Sequence, residues 1–119
     1  MMAVAVVPAA YAAGGTAFAY KGKLASNGSL VVTGNLRCSQ PQTVSLEVVA
    51  AQTVQQEGDT VPRGKVTKSG LSCTAKITDW TLTVPATDVK DPFRHGTVAV
   101  VMSATNGSEL SNKGEFLTV

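Results

Sequence analysis

The sequence predicts a small all-β protein, an antiparallel β-sandwich of Ig-like, Greek-key architecture with about seven strands and one disulfide. Three observations carry this. Apolar residues after position 20 recur with a period of two, and no stretch there keeps a 3.6-residue repeat. Valine and threonine, which favour a pleated half-buried surface, contribute 17 and 14 of the 119 residues. Asn-Gly turn dipeptides occur at Asn27-Gly28 and Asn106-Gly107, and the only two cysteines, Cys38 and Cys73, both fall in inward-facing strand phases.

Taken in order, the chain opens on an uncharged, alanine-rich segment. Residues 1–20 hold no Lys, Arg, Asp or Glu. The apolar run from Met2 to Ala13 is followed by two small-x-small patterns, Ala10-Tyr11-Ala12 and Ala17-Phe18-Ala19. This is the form of an export signal, with cleavage after Ala12 or Ala19. No basic residue precedes the run, which a start codon assigned too far downstream would explain. The competing assignment is a membrane anchor; Pro8, Gly14-Gly15 and the many alanines give it little transfer energy. The expected organisation is therefore an export segment over 1–19 and one sandwich domain over 20–119. The mature chain has no membrane span and is secreted or held at the cell envelope.

Leu30, Val32, Leu36 and Cys38 share one face of the first clear strand, with Val31, Thr33, Asn35 and Arg37 on the other. Residues 43–52 follow, with Val44, Leu46, Val48 and Ala50 inward. Residues 61–68 are more polar and read as an edge strand guarded by Arg63, Lys65 and Lys68. Leu71, Cys73, Ala75 and Ile77 alternate as a further strand. After a kink at Thr78-Asp79, Trp80, Leu82 and Val84 form the next. Residues 97–105 put Val98, Val100, Met102 and Ala104 on one face, and 115–119 close the chain. Type I′ geometry, with φ > 0 at both central residues, is expected at the two Asn-Gly turns. These turns also explain the matches of Asn27-Gly28-Ser29 and Asn106-Gly107-Ser108 to the glycan acceptor pattern. The irregular stretches are 55–60 and 88–96.

In an exported domain of roughly 100 residues, which buries only about 60–70% of its unfolded surface, Cys38 and Cys73 are expected to pair. Closing that loop is worth about 3.5–4 kcal/mol in the chain-entropy model. A redox pair would instead be spaced Cys-x-x-Cys.

The formal net charge is +2, with mixed signs and six aromatic residues. That gives no concentrated basic face and no stacking platform for nucleic acid. His95 is the only histidine, between Asp88, Asp91 and Gly96. A nucleophile–base pair would need an oriented serine, and no Gly-x-Ser-x-Gly turn occurs. Zinc and iron sites draw on more than one His or Cys, so His95 reads as an exposed loop residue or, alternatively, a ligand or partner contact. Phosphate loops, dinucleotide fingerprints and calcium-loop spacing are absent. The sequence thus predicts no catalytic residue, metal or cofactor. Trp80 reads as a core anchor or, alternatively, a ligand or partner contact. Arg63, Lys65 and Lys68, with Lys76 nearby, read as a protective edge or as a site for an anionic cell-wall polymer.

Gly34-Asn35-Leu36-Arg37-Cys38, the alternating strand ending at Gln52, Cys73, Trp80 and the strand Gly96-Thr97-Val98-Ala99-Val100 resemble small secreted actinomycete proteins grouped as a domain-of-unknown-function family. The resemblance covers about residues 28–105 and implies a signal peptide, one cysteine pair and a sandwich, with no catalytic residue to carry over. An immunoglobulin domain proper has its tryptophan between the cysteines; here the order is Cys, Cys, Trp. The expectation is a non-enzymatic binding or structural module whose partner is a cell-wall component or extracellular protein. The alternative is a small-ligand carrier or protease-inhibitor-like domain working through a cleft or through the loops at 55–64 or 88–96.

Overall fold

The computed structural model describes residues 14–52 and 61–119. Seven strands run through them: β1 (Gly15–Leu24), β2 (Leu30–Cys38), β3 (Gln42–Ala51), β4 (Arg63–Cys73), β5 (Thr78–Val84), β6 (Thr97–Thr105) and β7 (Glu109–Thr118). All pairings are antiparallel, and among the described residues there is no helix. The strands form a three-stranded sheet, β1-β2-β5, and a four-stranded sheet, β4-β3-β6-β7. Strands β3 and β6 pair although two elements separate them in sequence, as do β2 and β5; this is the non-local pairing of a Greek-key sandwich.

The alternation read from sequence sets the core. Leu30, Val32 and Leu36 of β2 and Trp80, Leu82 and Val84 of β5 point inward from one sheet. Val44, Leu46, Val48 and Ala50 of β3 and Val98, Val100, Met102 and Ala104 of β6 meet them from the other. Each of the Val, Leu and Met side chains among them contributes about 1.5–3 kcal/mol by leaving water. Trp80 anchors this layer: it is 5% exposed, and its indole Nε1 donates to the Asn35 carbonyl at 2.9 Å. Its ring lies over Gly34, where an added Cβ would come within 2.5 Å of it and 1.8 Å of the Phe18 carbonyl oxygen.

The cysteines pair as expected. Cys38 ends β2 in one sheet, Cys73 ends β4 in the other, and their Cα atoms are 5.5 Å apart. Both are buried. The Cys38 N–H donates to the Thr74 carbonyl at 2.7 Å, so the bridge staples the sheets together at one end.

In four places the local structure departs from the alternation or turn read from the sequence. Gly15–Ala19, placed in the export segment, belong to β1 and pair with β2 from Gly15↔Cys38 onward. Ala17 and Ala19 are buried, while Phe18 and Tyr20 face out; the small residues needed for cleavage have a strand's period as well. The pattern at Ala10–Ala12 lies outside the described residues.

Second, the strand expected at 61–68 and the one begun by Leu71 are one continuous strand. Opposite the single residue Ser45, between Leu46↔Lys68 and Val44↔Leu71, β4 inserts both Ser69 and Gly70. Gly70 has φ +75°. The extra residue makes this a β-bulge that restores the inward phase of Leu71 and Cys73. Ala75 and Ile77, expected to continue the alternation inward, are exposed where the chain crosses between sheets.

Third, β7 begins at Glu109, six residues before the expected 115; its polar outer positions hid it. Fourth, the Asn-Gly turns are not type I′, because among the described residues only glycines have positive φ. At the first, Gly28 N–H donates to Ala25 O at 3.0 Å and Ala25 N–H to Ser29 O at 2.9 Å, with Gly28 at φ +86°. That is a type I turn followed by a glycine bulge.

Candidate functional site

The connection from β5 to β6 carries His95. Its acidic neighbours are committed elsewhere: Asp88 accepts the Lys90 N–H at 2.9 Å, and buried Asp91 pairs with the Arg94 guanidinium at 3.1 Å. His95 is exposed. Among the described residues no group of three or more His, Cys, Asp or Glu could hold a metal.

The device organising this connection is Gln52, which sequence reasoning passed over. It is 3% exposed, and its side chain grips the Arg94 backbone at both ends. Arg94 N–H donates to Oε1 at 2.8 Å, and Nε2 donates to the Arg94 carbonyl at 2.5 Å. Gln52 N–H also donates to Pro62 O at 2.8 Å. The available signal was a polar residue in the inward phase of β3, two positions after Ala50. Phe93 is buried beside it, and its N–H donates to Gly28 O at 3.1 Å. The connection is therefore folded back onto the sandwich end rather than projecting from it. The other expected loop falls largely in residues 53–60, outside the described residues.

Trp80, weighed as a partner contact, is in the core. The basic cluster is divided. Arg63 and Lys65 are on the outer face of β4, beside Ala51 and Val49, whereas Lys68 lies opposite Leu46 and so belongs to the other face. Lys76 is in the crossing between sheets and joins neither.

What the registers assemble instead is a flat outer face on the four-stranded sheet. One row across it reads Arg63, Ala51, Ala99, Phe116, and the next Lys65, Val49, Val101, Gly114. A third reads Thr67, Glu47, Ser103, Asn112. One half of the face is thus apolar with a cationic margin, and the other is polar. Phe116 is 80% exposed, Val49 38% and Val101 39%. The apolar half holds a shallow depression of about 220 Å³ between β3 and β4, lined by Val49, Ala51, Arg63 and Lys65 among others. A polar one of about 260 Å³ lies among Ser45, Glu47, Thr67, Ser103 and Thr105.

The opposite sheet presents a different surface. Thr33 and Thr81 hydroxyls lie 3.2 Å apart across β2 and β5. The Lys113 ammonium of β7 sits 4.9 Å from the Phe18 ring centroid, a cation–π contact that bridges the two sheets along the β1 and β7 edges. Beside the disulfide an open concavity of about 510 Å³ is lined by Gly14, Gly15, Thr16, Arg37, Cys38, Ser39 and Ala75.

No family model and no curated protein matches the chain. Among solved structures it is similar to part of DesR, a beta-glucosidase from Streptomyces venezuelae crystallised with D-glucose, at 14% identity and a TM-score of 0.43. The match covers 87% of this chain and 15% of that one, so this chain spans a small fraction of the glucosidase's length.

Proposed function

We propose that this protein is a non-enzymatic β-sandwich that works as a binding or structural module outside the cytoplasm, by contact with another protein surface. The observation that carries the proposal is the outer face of the four-stranded sheet. Val49, Val101 and the largely exposed Phe116 form a contiguous apolar patch there, bordered by Arg63 and Lys65. Apolar patches rimmed by polar residues mark protein interaction sites, and aromatic residues with Arg are the side chains enriched there. The inter-sheet disulfide agrees with an oxidising compartment. No helix among the described residues is long and apolar enough to cross a membrane.

A small-ligand carrier draws less support. The depression on this face, at about 220 Å³, is below the roughly 300–1,000 Å³ of ordinary ligand pockets; the concavity of about 510 Å³ beside the disulfide is open and lined by no large apolar side chain, and Trp80 is enclosed by the core. The connection at 88–96, clamped by Gln52 and Gly28, lacks the extended projection of an inhibitory loop.

Capture from culture supernatant and solubilised cell-wall material tests the proposal. Proteins retained by the immobilised chain should be lost with Phe116→Lys and kept with Tyr20→Ser, which alters the opposite sheet. Retention that ignores Phe116→Lys but responds to Tyr20→Ser would overturn it.

A further inference from the structure

We infer that this face pairs with a second copy of itself. The inference rests on the proposal that the face is the protein's contact surface, and it names the occupant. An isologous contact must satisfy a two-fold axis lying in the plane of the interface. An axis perpendicular to the strands sets β4 on β4 and brings Arg63 and Lys65 against the partner's Arg63 and the partner's Lys65, a like-charge juxtaposition that suppresses pairing. An axis parallel to the strands sets β4 on β7 and β3 on β6. Each row then meets its own reverse: Arg63 lies over the partner's Phe116, Ala51 over the partner's Ala99, Val49 over the partner's Val101, and Lys65 over the partner's Gly114. The guanidinium lands on the face of an exposed aromatic ring, a favourable cation–π arrangement.

Gly114 supplies a separate observation. Its φ is not positive, and a Cβ built there meets nothing closer than 3.7 Å, so the fold does not require glycine at this position. Glycine weakens a strand interior and often marks the close approach of another backbone or ligand. The notch it leaves between Val101 and the strand edge receives the partner's Lys65 in the parallel-axis arrangement.

The size of the face sets the strength. Four strands spaced at about 4.8 Å and roughly nine residues at about 3.4 Å give a whole face of around 600 Å², of which the apolar half is about 300 Å². A standard interface covers about 800 Å² per partner. Pairing is therefore expected to be weak and reversible, seen at protein concentrations of roughly 10–300 µM.

Sedimentation equilibrium of the purified, disulfide-bonded full chain between about 1 and 300 µM brackets that range. The expected result is a monomer–dimer equilibrium that weakens at least tenfold with Phe116→Ser and with Gly114→Lys, at an unchanged thermal midpoint for Gly114→Lys. Tyr20→Ser should leave it unchanged. Mixing Val49→Cys chains with Val101→Cys chains should give an intermolecular disulfide faster than either variant alone, as the parallel axis requires. A chain that stays monomeric at 300 µM, or a dimer indifferent to both face variants, would overturn self-pairing. The capture experiment separates the two failures, since retention that depends on Phe116 upholds the contact face even for a monomeric protein.

Discussion

Gln52 and Gly34 are the two residues whose structural roles are largest relative to their signal in the sequence. Gln52 places a primary amide in an inward strand phase and bonds both its oxygen and its nitrogen to the backbone of Arg94, 42 positions away. Gln52→Ala would remove both partners of the part-buried Arg94 peptide groups, at a cost of about 1–2 kcal/mol. Urea denaturation should register this as a lower midpoint with an unchanged slope. Gly34 is constrained by space rather than by backbone angle. A Cβ there would be driven into the Phe18 carbonyl and the Trp80 ring, so Gly34→Ala should lose about 2 kcal/mol or more, as overpacked cores do. Trp80 fluorescence should shift to the red as the indole becomes exposed. Periodicity could find Trp80 itself, because bulk and phase suffice. It could not find Gly34, since the atoms that crowd it come from strands distant in sequence.

At the scale of the element, β2, β3, β5 and β6 were legible because both of their faces report: valine or leucine inward, threonine, serine or charge outward. Of the edge strands β5 still alternates cleanly, but β4 and β7 were harder. Only one side of β4 and β7 is hydrogen-bonded, so polar residues are tolerated on both faces, and the bulge at Ser69-Gly70 breaks the alternation of β4. β1 was obscured for a different reason. Its small inward residues, Ala17 and Ala19, fit beneath the sheet and also satisfy a signal peptidase. If the chain is exported through its apolar start, cleavage after Ala12 keeps β1 whole. Cleavage after Ala19 removes five of its ten residues together with the bond from Ala17 N–H to Ser111 Oγ. The intact mass of the exported protein should therefore correspond to an N-terminus at Ala13, and a product beginning at Tyr20 would contradict the assignment of β1. The Cys38–Cys73 bridge acts at the same scale, tying the end of β2 to the end of β4. Cys73→Ala should lower stability by about 2–5 kcal/mol while leaving the contact face formed, which chemical denaturation and capture at low temperature would check.

For the whole molecule, the fold class and the disulfide were readable, and the contact face was not. Its members come from four strands that meet only through long-range pairing. Ala51 and Ala99 are 48 positions apart, and Phe116 joins them from the chain's last strand. Each also stands at an outward phase, where a single apolar residue is unremarkable; the patch exists only once the registers stack the rows. The basic residues illustrate the converse, since proximity in sequence grouped Lys68 with Arg63 and Lys65, and the strand's geometry turned it to the other face. The molecule that results is a stapled sandwich with one sheet carrying threonine-lined rows, with Phe18 and Tyr20 outward on its β1 edge, and the other offering half of its surface to contact. Mapping backbone amide shifts by NMR, as protein concentration is raised or a captured partner is titrated in, tests that division most directly. Perturbations are expected to concentrate at Ala51, Ala99, Val101, Gly114 and Phe116. Perturbations concentrated instead at Val31, Thr33 and Thr81, or along residues 88–96, would contradict it.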